Sequence, residues 1–173
     1  MPDQLNSISP LDGRYNKDVA VLSHYFSESA LMRYRLQVEI EYLIALSNEN
    51  KITALPPIPN TIQTTLRKLY EKFDSRAARR IKKIETQTNH DVKAIEQYIG
   101  EKLQKINLNK FIPWVHFGLT SEDINNLAYA GMLRDARKKI LAQINELNWN
   151  EGFFRKDIGW RVIDANNKRL SKR

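Results

Sequence analysis

The chain has 173 residues, enough for one ordinary domain or for one domain and part of a second. An apolar fraction of 42% supports a real core and excludes wholesale disorder. The lack of cysteine excludes disulfides, zinc–thiolate sites and thiol nucleophiles. The polar start, Met1-Pro2-Asp3-Gln4, has no signal-peptide core, and no apolar run reaches the roughly 20 residues that span a bilayer. We therefore expect a soluble, cytoplasmic protein that does not enter a membrane.

The net charge of +8 at pH 7 is unevenly distributed along the chain. Residues 1–133 hold 17 basic and 15 acidic side chains, whereas residues 134–173 hold 11 and 5. Aromatic residues do not alternate with Lys and Arg in a stacking pattern, and no fingerprint of a nucleic-acid-binding module is present. The distribution favours a nonspecific basic tail over a nucleic-acid-binding surface.

The first polar segment spans residues 9–15. A proline and the Asp12-Gly13 pair predict a turn that presents Arg14 and Tyr15. The guanidinium is a planar fork of donors suited to phosphate, and the phenol adds a hydroxyl. A plain surface turn with a solvated Arg14 explains the same residues, and the local chemistry alone favours it.

Apolar periodicity predicts a helix from Ser27, its cap, to about Asn48. Its expected apolar face is Leu31, Tyr34, Val38, Tyr42 and Ala45, widened by Leu36, Ile40, Leu43 and Ile44. A proline-rich connector at residues 55–59 cannot be helical throughout, and Asn60 is expected to cap a shorter helix after it. The charged residues 74–83 then predict a solvated helix face.

The second polar segment spans residues 88–96. Helical spacing of the apolar residues that follow predicts that Asn89, His90 and Asp91 lie at the start of a helix. Cations are not favoured at a helix N-terminus, so His90 needs another reason to be there, such as Asp91 or a bound anion. Alternatively, Asn89 or Asp91 is an ordinary cap. The three histidines include no pair with ligand spacing, so we predict no metal site.

The third polar segment spans residues 120–126 and precedes a long periodic stretch. Thr120 or Ser121 can cap the helix, and Asp123, three residues after Thr120, can complete a capping box. Hydroxyls beside the unpaired N–H groups of a helix start also suit a carboxylate or phosphate. Spacing alone leaves both interpretations open and favours the ordinary cap.

The apolar face of this helix continues over about seven turns of 3.6 residues. Its members are Ile124, Leu127, Gly131, Met132, Ala136, Ile140, Ile144 and Leu147. A helix this long with one apolar face indicates a helical bundle. Gly152 and Gly159 are expected to break it.

We therefore predict an all-α fold. Residues 1–113 are expected to form a small N-terminal helical domain, and residues 114–147 the first long helix of a helical-bundle domain. Residues 148–173 are predicted to be an atypical basic tail.

In order and spacing, the three polar segments resemble the N-terminal part of the adenylosuccinate lyases, which belong to the fumarase/aspartase superfamily. The resemblance covers roughly residues 7–147 and does not extend into the tail. It implies a β-elimination that releases fumarate from adenylosuccinate, giving AMP, and from the succinyl-carboxamide ribotide of purine biosynthesis. It also implies a homotetramer in which three subunits share each active site. We expect no cofactor.

The resemblance assigns roles to residues at matching positions. Arg14 and Tyr15 would contact the nucleotide portion, including its phosphate. Asn89, His90 and Asp91 would line the site, with His90 able to donate to an anionic group. Each of these segments offers donors suited to an anion.

Thr120 and Ser121 would hold a succinyl carboxylate. Enzymes of the family use a His in a Thr-His-Gly-Gln segment as general acid and a Ser on a Ser-Ser-x-Met-Pro-x-Lys-x-Asn loop as base. Neither segment occurs in residues 1–173, so no catalytic residue is assigned and this chain alone is expected to be inactive. The alternative is a non-catalytic protein that binds nucleotide, or that inserts its long helix into a full-length lyase and disturbs the tetramer.

Overall fold

A computed structural model describes residues 4–157, with side chains from residue 5 to residue 146. Over this range there are six α-helices and no strand, which confirms the all-α prediction. The helices are α1 Ser23–Phe26, α2 Glu28–Ser47, α3 Asn60–Glu71, α4 Ser75–Thr88, α5 Asp91–Lys105 and α6 Ser121–Asp157. Short 3-10 helices span Gln4–Asn6, Ala20–Leu22 and Asn109–Trp114. None of the described helices is long and apolar enough to cross a membrane.

Helix α2 lies at the centre of the fold. Ser27 caps it as predicted, accepting a hydrogen bond from the backbone N–H of Ala30 at 3.1 Å. The predicted centre of its apolar face was wrong, because Leu36 and Ile40 are fully buried whereas Ala45 is exposed. The reason is that α3, α4 and α5 all pack against α2, and together they cover the side that had been expected only to widen the face.

The core consists of apolar side chains from α2 to α5, from the segments that connect them and from the 3-10 helix after α5. Its fully buried members include Leu36, Ile40, Leu43, Ile58, Leu66, Ile81, Ile84, Ile95, Ile99, Leu103 and Phe111. Complete burial of one such side chain contributes about 1.5–3 kcal/mol. This core fixes the start of α5 relative to α2.

The start of α3 differs from the prediction. Pro59 is the N-cap residue, Asn60 is the first helical residue, and the cap makes no side-chain hydrogen bond. Pro59, with φ at −58° and ψ at 145°, takes the extended conformation of an N-cap and has no side-chain acceptor, while Asn60 is already helical and cannot cap the helix from within it.

The corner between α4 and α5 confirms the prediction for the second polar segment. Asp74 caps α4, whose basic side chains are exposed as expected. Asn89 ends α4 in the left-handed conformation, with φ at 50°, and Asp91 begins α5. Asparagine tolerates this conformation better than most residues, which explains why two helices can meet within two residues.

The first turns of α6 pack against α2. Tyr34, Ala128 and Met132 form a small buried cluster, and Gly131 allows the close approach because a Cβ there would lie 3.0 Å from the Tyr34 ring. The predicted stripe was partly wrong, since Leu127 is 60% exposed. The buried positions Ile124, Ala128 and Met132 instead follow a strict spacing of four.

Helix α6 does not break at Gly152 but continues to Asp157. One glycine inside a helix costs only about 1 kcal/mol relative to alanine, which is too little to end it. Gly159 lies outside the described residues. The chain divides into two compact units, one up to Leu133 and one from Arg134 onward. The predicted domain boundaries at residues 113 and 147 stay predictions.

Candidate anion-binding site

His90 is itself the cap of α5. Its Nδ1 accepts a hydrogen bond from the backbone N–H of Lys93 at 3.2 Å. An accepting Nδ1 carries no proton, so in the neutral ring the proton is on Nε2, where it can be donated to an anion. The structure thus explains why a histidine stands at a helix N-terminus. Its ring accepts a hydrogen bond from the first turn of α5.

Both oxygens of the Asp91 carboxylate have a partner, one in a hydrogen bond and one in an ion pair. Oδ1 accepts from the backbone N–H of Val92 at 2.9 Å, and Oδ2 lies 2.6 Å from Nη2 of Arg35. Burial by itself would raise the pKa of Asp91. The Val92 N–H and the Arg35 guanidinium outweigh it, so the pKa lies below its ordinary value of 3.8. Asp91 is therefore a carboxylate at neutral pH, and its side chain is half exposed.

A cavity of about 470 Å³ opens at the corner between α4 and α5. Asn89, His90 and Asp91 line it together with Lys82 and other α4 residues. The Nζ of Lys82 lies 2.5 Å from Glu28 and 3.0 Å from another carboxylate, so its charge is already balanced. The cavity offers the side-chain donors of Thr86, Asn89 and His90 beside two carboxylates, Glu85 and Asp91, and one paired ammonium.

The start of α6 is a complete capping box, as predicted. The Oδ2 of Asp123 accepts from the backbone N–H of Thr120 at 2.8 Å and from its hydroxyl at 2.9 Å. The N–H of Asp123 lies 3.4 Å from the Thr120 hydroxyl oxygen. The Thr120 N–H and hydroxyl lower the pKa of Asp123. Ser121, half-buried, is the first helical residue.

The loop before α6 is tied to α2 by a buried acid–histidine pair. Nδ1 of His116 lies 2.6 Å from Oε1 of Glu39, which is fully buried, and Nε2 lies 4.0 Å from Glu96. Burial raises the pKa of Glu39, and the hydrogen bond with His116 offsets only part of that effect. His116 has a φ of 61° and Gly118 a φ of 72°, so the loop holds two left-handed residues. The Tyr42 hydroxyl donates to the carbonyl of Phe117 at 2.8 Å.

One α2 side chain joins the second and third polar segments. Arg35, only 6% exposed, reaches Asp91 with Nη2, and its Nε donates to Oδ1 of Asn125 at 2.9 Å. The starts of α5 and α6 therefore both contact a single guanidinium. These are the segments that hold His90 and Thr120.

The sequence interpretation missed Arg35 and Glu39. Opposite charges four residues apart on a helix usually indicate an exposed ion pair, so they carried no functional signal. In the structure each charge is buried and pairs with a different segment. The available signal was that Arg35 lies between Tyr34 and Leu36, and Glu39 between Val38 and Ile40, of one helix.

The first polar segment forms the predicted turn. The N–H groups of Asp12 and Gly13 both donate to the carbonyl of Ser9 at 3.1 Å. The guanidinium of Arg14 lies 4.8 Å from the centroid of the Tyr15 ring, and both side chains are exposed. In the described part of the chain, no hydrogen bond or ion pair links these two residues to the other polar segments. The roles assigned to Arg14, Tyr15, Asn89, His90, Asp91, Thr120 and Ser121 stay predictions.

Metal chemistry has no support in the described residues, where no group of three or more His, Asp or Glu side chains could hold an ion. The site is instead a set of helix starts with neutral donors around buried charges. Such an arrangement is typical of proteins that bind anionic small molecules.

A family model described as lyase matches residues 13–150, and the chain therefore belongs to this lyase family. Its relatives include the adenylosuccinate lyase of Legionella pneumophila (strain Corby), 45% identical over 138 residues. The enzymes of that name from Buchnera aphidicola subsp. Schizaphis graminum (strain Sg) and Dictyostelium discoideum are 43% identical over 140 residues and 44% over 146.

These alignments cover 79% of the chain with the Legionella relative and 80% with the other two. The chain spans about 30% of the length of these curated relatives. The resemblance to the N-terminal part of the adenylosuccinate lyases is confirmed.

Proposed function

We propose that this chain is the substrate-holding N-terminal part of an adenylosuccinate lyase. The reaction would be the elimination of fumarate from adenylosuccinate and from the succinyl-carboxamide ribotide, in the cytoplasm and without a cofactor. Arg14 and Tyr15 would hold the nucleotide and its phosphate. The other two polar segments would hold the remaining parts of the substrate.

One observation carries the proposal: Arg35 brings the start of α5 beside the start of α6. The donors expected for a dicarboxylic nucleotide thereby come from two helix starts that are distant in sequence and adjacent in space. At one of them the His90 Nε2 proton can be donated. At the other, Thr120 and Ser121 surround the positive end of α6.

Calorimetric titration of the purified chain with adenylosuccinate tests substrate binding. We expect saturable binding that weakens on Thr120→Val or Arg14→Met. Arg76→Met is the matched control, because Arg76 is exposed and pairs only within the cap of α4. Absence of saturable binding by the wild-type chain would contradict the proposal.

Catalysis requires groups that the family places in segments outside this sequence. We expect no fumarate release from the pure chain alone. The assay follows fumarate absorbance, with chain purified from a host that lacks its own adenylosuccinate lyase. Fumarate release that co-purifies with the chain would show that residues 1–173 already hold an acid and a base.

A second candidate function is non-catalytic association, through self-assembly or insertion into a full-length lyase. It is favoured by apolar side chains exposed along α6, namely Leu127, Tyr129, Leu133, Ile140, Leu141 and Ile144. Light scattering tests it, with the expectation of an oligomer that Leu133→Glu dissociates. A strictly monomeric wild-type chain would exclude it. Inhibition of a full-length lyase on mixing would favour this candidate over the first.

A further inference from the structure

Helix α2 carries a buried cation, Arg35, whose charge adds nothing to the apolar core. Arg35 is 6% exposed, and its neighbours Tyr34 and Leu36 on the same helix are buried too. Removing a guanidinium from water is unfavourable unless its donors find partners of good geometry. In this fold its two partners are Asp91 and Asn125.

The two partners belong to different helix starts. Asp91 is the first residue of α5, directly after the cap His90. Asn125 lies in the first turns of α6, five residues after Thr120. The guanidinium is a planar fork whose Nε and Nη2 point in fixed directions, so it sets the distance between the groups that it contacts. Neither contact is part of the regular hydrogen bonding of a helix.

We propose that Arg35 is a positioning residue that holds the two helix starts in register for one shared ligand. The inference rests on the proposed function and adds a residue to it that touches no substrate. Arg35 would act through Asp91 on the His90 side and through Asn125 on the Thr120 side. A ligand with anionic groups at both ends would therefore experience the two sets of donors as one rigid site.

The charges around Arg35 support this assignment. The Asp91 carboxylate balances its charge, while the Asn125 amide is neutral and uses only its oxygen for Arg35. The Nδ2 of Asn125 lies 3.5 Å from Glu122, which extends the network along α6. A contact that only stabilised the fold could involve any nearby acceptor. The two contacts of Arg35 involve residues of the two candidate ligand-binding segments.

Hydrogen exchange of the ligand-free full chain tests directly whether Arg35 holds the starts of α5 and α6 in place relative to each other. In Arg35→Met we expect exchange in the first turns of both α5 and α6 to rise by about tenfold more than the loss of global stability, measured separately by urea unfolding, accounts for. In Arg35→Lys we expect partial rescue, because one ammonium cannot reproduce the fork. Arg67→Met is the matched control, since Arg67 also links α2 to another helix but contacts neither start.

Asn125→Ala provides a second variant in case Arg35→Met does not fold. It should raise exchange at the start of α6 and leave the start of α5 unchanged, because the contact of Arg35 with Asp91 remains. In Arg35→Met, a rise at the two starts no larger than the loss of global stability accounts for would overturn the proposal. So would an Asn125→Ala variant whose first α6 turn exchanges like the wild type.

Affinity for adenylosuccinate, measured with the same variants, tests whether the placement of the two helix starts matters for binding. We expect Arg35→Met to weaken binding by about tenfold or more, as removal of supporting hydrogen-bond partners commonly does. Arg67→Met should bind like the wild type. If the wild-type chain does not bind adenylosuccinate, the proposed function fails, while the exchange data still decide whether Arg35 sets the register. Wild-type affinity in a folded Arg35→Met chain would overturn the positioning role.

Discussion

Besides the Glu39–His116 pair, helix α2 contributes to two polar clusters, which differ in burial and in what they join. The buried cluster consists of Arg35, Asp91 and Asn125. The surface cluster consists of Glu41, Arg67 and Tyr70, in which Arg67 donates to both Glu41 oxygens at 2.8 and 2.9 Å. The Tyr70 hydroxyl donates to the same carboxylate at 2.8 Å.

The surface cluster has the better hydrogen-bond geometry and yet the smaller expected effect. Its Glu41 and Arg67 side chains are 39% and 36% exposed, so solvent screens their attraction. Arg35 is nearly out of water, and loss of its partners would leave polar groups unsatisfied. Burial rather than bond geometry therefore decides which cluster contributes more to stability. Four substitutions test this, and they follow from the largest expected effect to the smallest.

Arg35→Met should have the largest effect on stability. We expect the free energy of unfolding to fall by about 2–4 kcal/mol, near the lower end for a broken buried pair because half-exposed Asp91 regains some water. Urea unfolding followed by far-ultraviolet circular dichroism measures the loss. Arg67→Met should cost clearly less. Equal losses in the two variants would remove the distinction between the clusters.

Glu39→Gln should change the pH dependence of stability. Because the pKa of Glu39 is raised above 4.5, the folded chain keeps this proton at pH values where the unfolded chain has released it. Stability from Glu39 is therefore complete below 4.5 and is lost as the pH rises through the raised pKa. We expect the variant to lack this decline, while it retains an acceptor oxygen for His116.

Urea unfolding from below pH 4.5 to neutral pH provides the measurement for Glu39→Gln. Glu71→Gln is the control, since Glu71 is an exposed carboxylate on α3. Parallel pH profiles of the wild type and Glu39→Gln would show that burial of Glu39 does not govern its ionisation.

Thr120→Ala tests the capping box at the start of α6, five residues before Asn125 of the buried cluster. Loss of the cap should lower the free energy of unfolding by about 1 kcal/mol and raise exchange in the first turn of α6. Thr65→Ala serves as the control, because its hydroxyl donates only to the Thr61 carbonyl within α3. If both threonine variants lose the same stability, the capping box contributes nothing special.

Glu41→Gln should have the smallest effect, a loss of less than about 1 kcal/mol that shrinks further at high salt. Arg67 and Tyr70 lower the pKa of Glu41, so its contribution is present above 4.5 and disappears as the pH falls through the lowered pKa. Burial and the nearby Glu41 raise the pKa of Tyr70 to about 12. Urea unfolding at low and high salt measures the effect. A loss that does not depend on salt would show that the surface cluster is shielded from solvent.

Much of the fold followed from local patterns in the sequence. Ser27 marked the start of α2, and the spacing of Thr120 and Asp123 predicted a capping box that the structure contains. Local signals work here because a cap is made by residues three positions apart. The centre of the α2 apolar face failed for the opposite reason. Which of several apolar stripes becomes buried depends on the helices that cover it.

The candidate site was likewise predicted only where local sequence features define it. Polar helix starts such as Asn89 to Asp91 were visible as residue types suited to anions. His90 as an accepting cap was not foreseen, because its role depends on which ring nitrogen faces the backbone. Arg35 and Glu39 were missed because their partners are 56 to 90 positions away.

By itself, the sequence determined the helical class, the order of the helices and the three segments that resemble those of the adenylosuccinate lyases. These features follow from periodicity, capping and residue chemistry, all of which act within a few residues of chain. Only the tertiary structure decided that Arg35 joins two of those segments while Glu39 ties down the loop before the long helix. A buried charge takes its partner from whatever the packing brings within hydrogen-bond distance, and local spacing does not encode that choice.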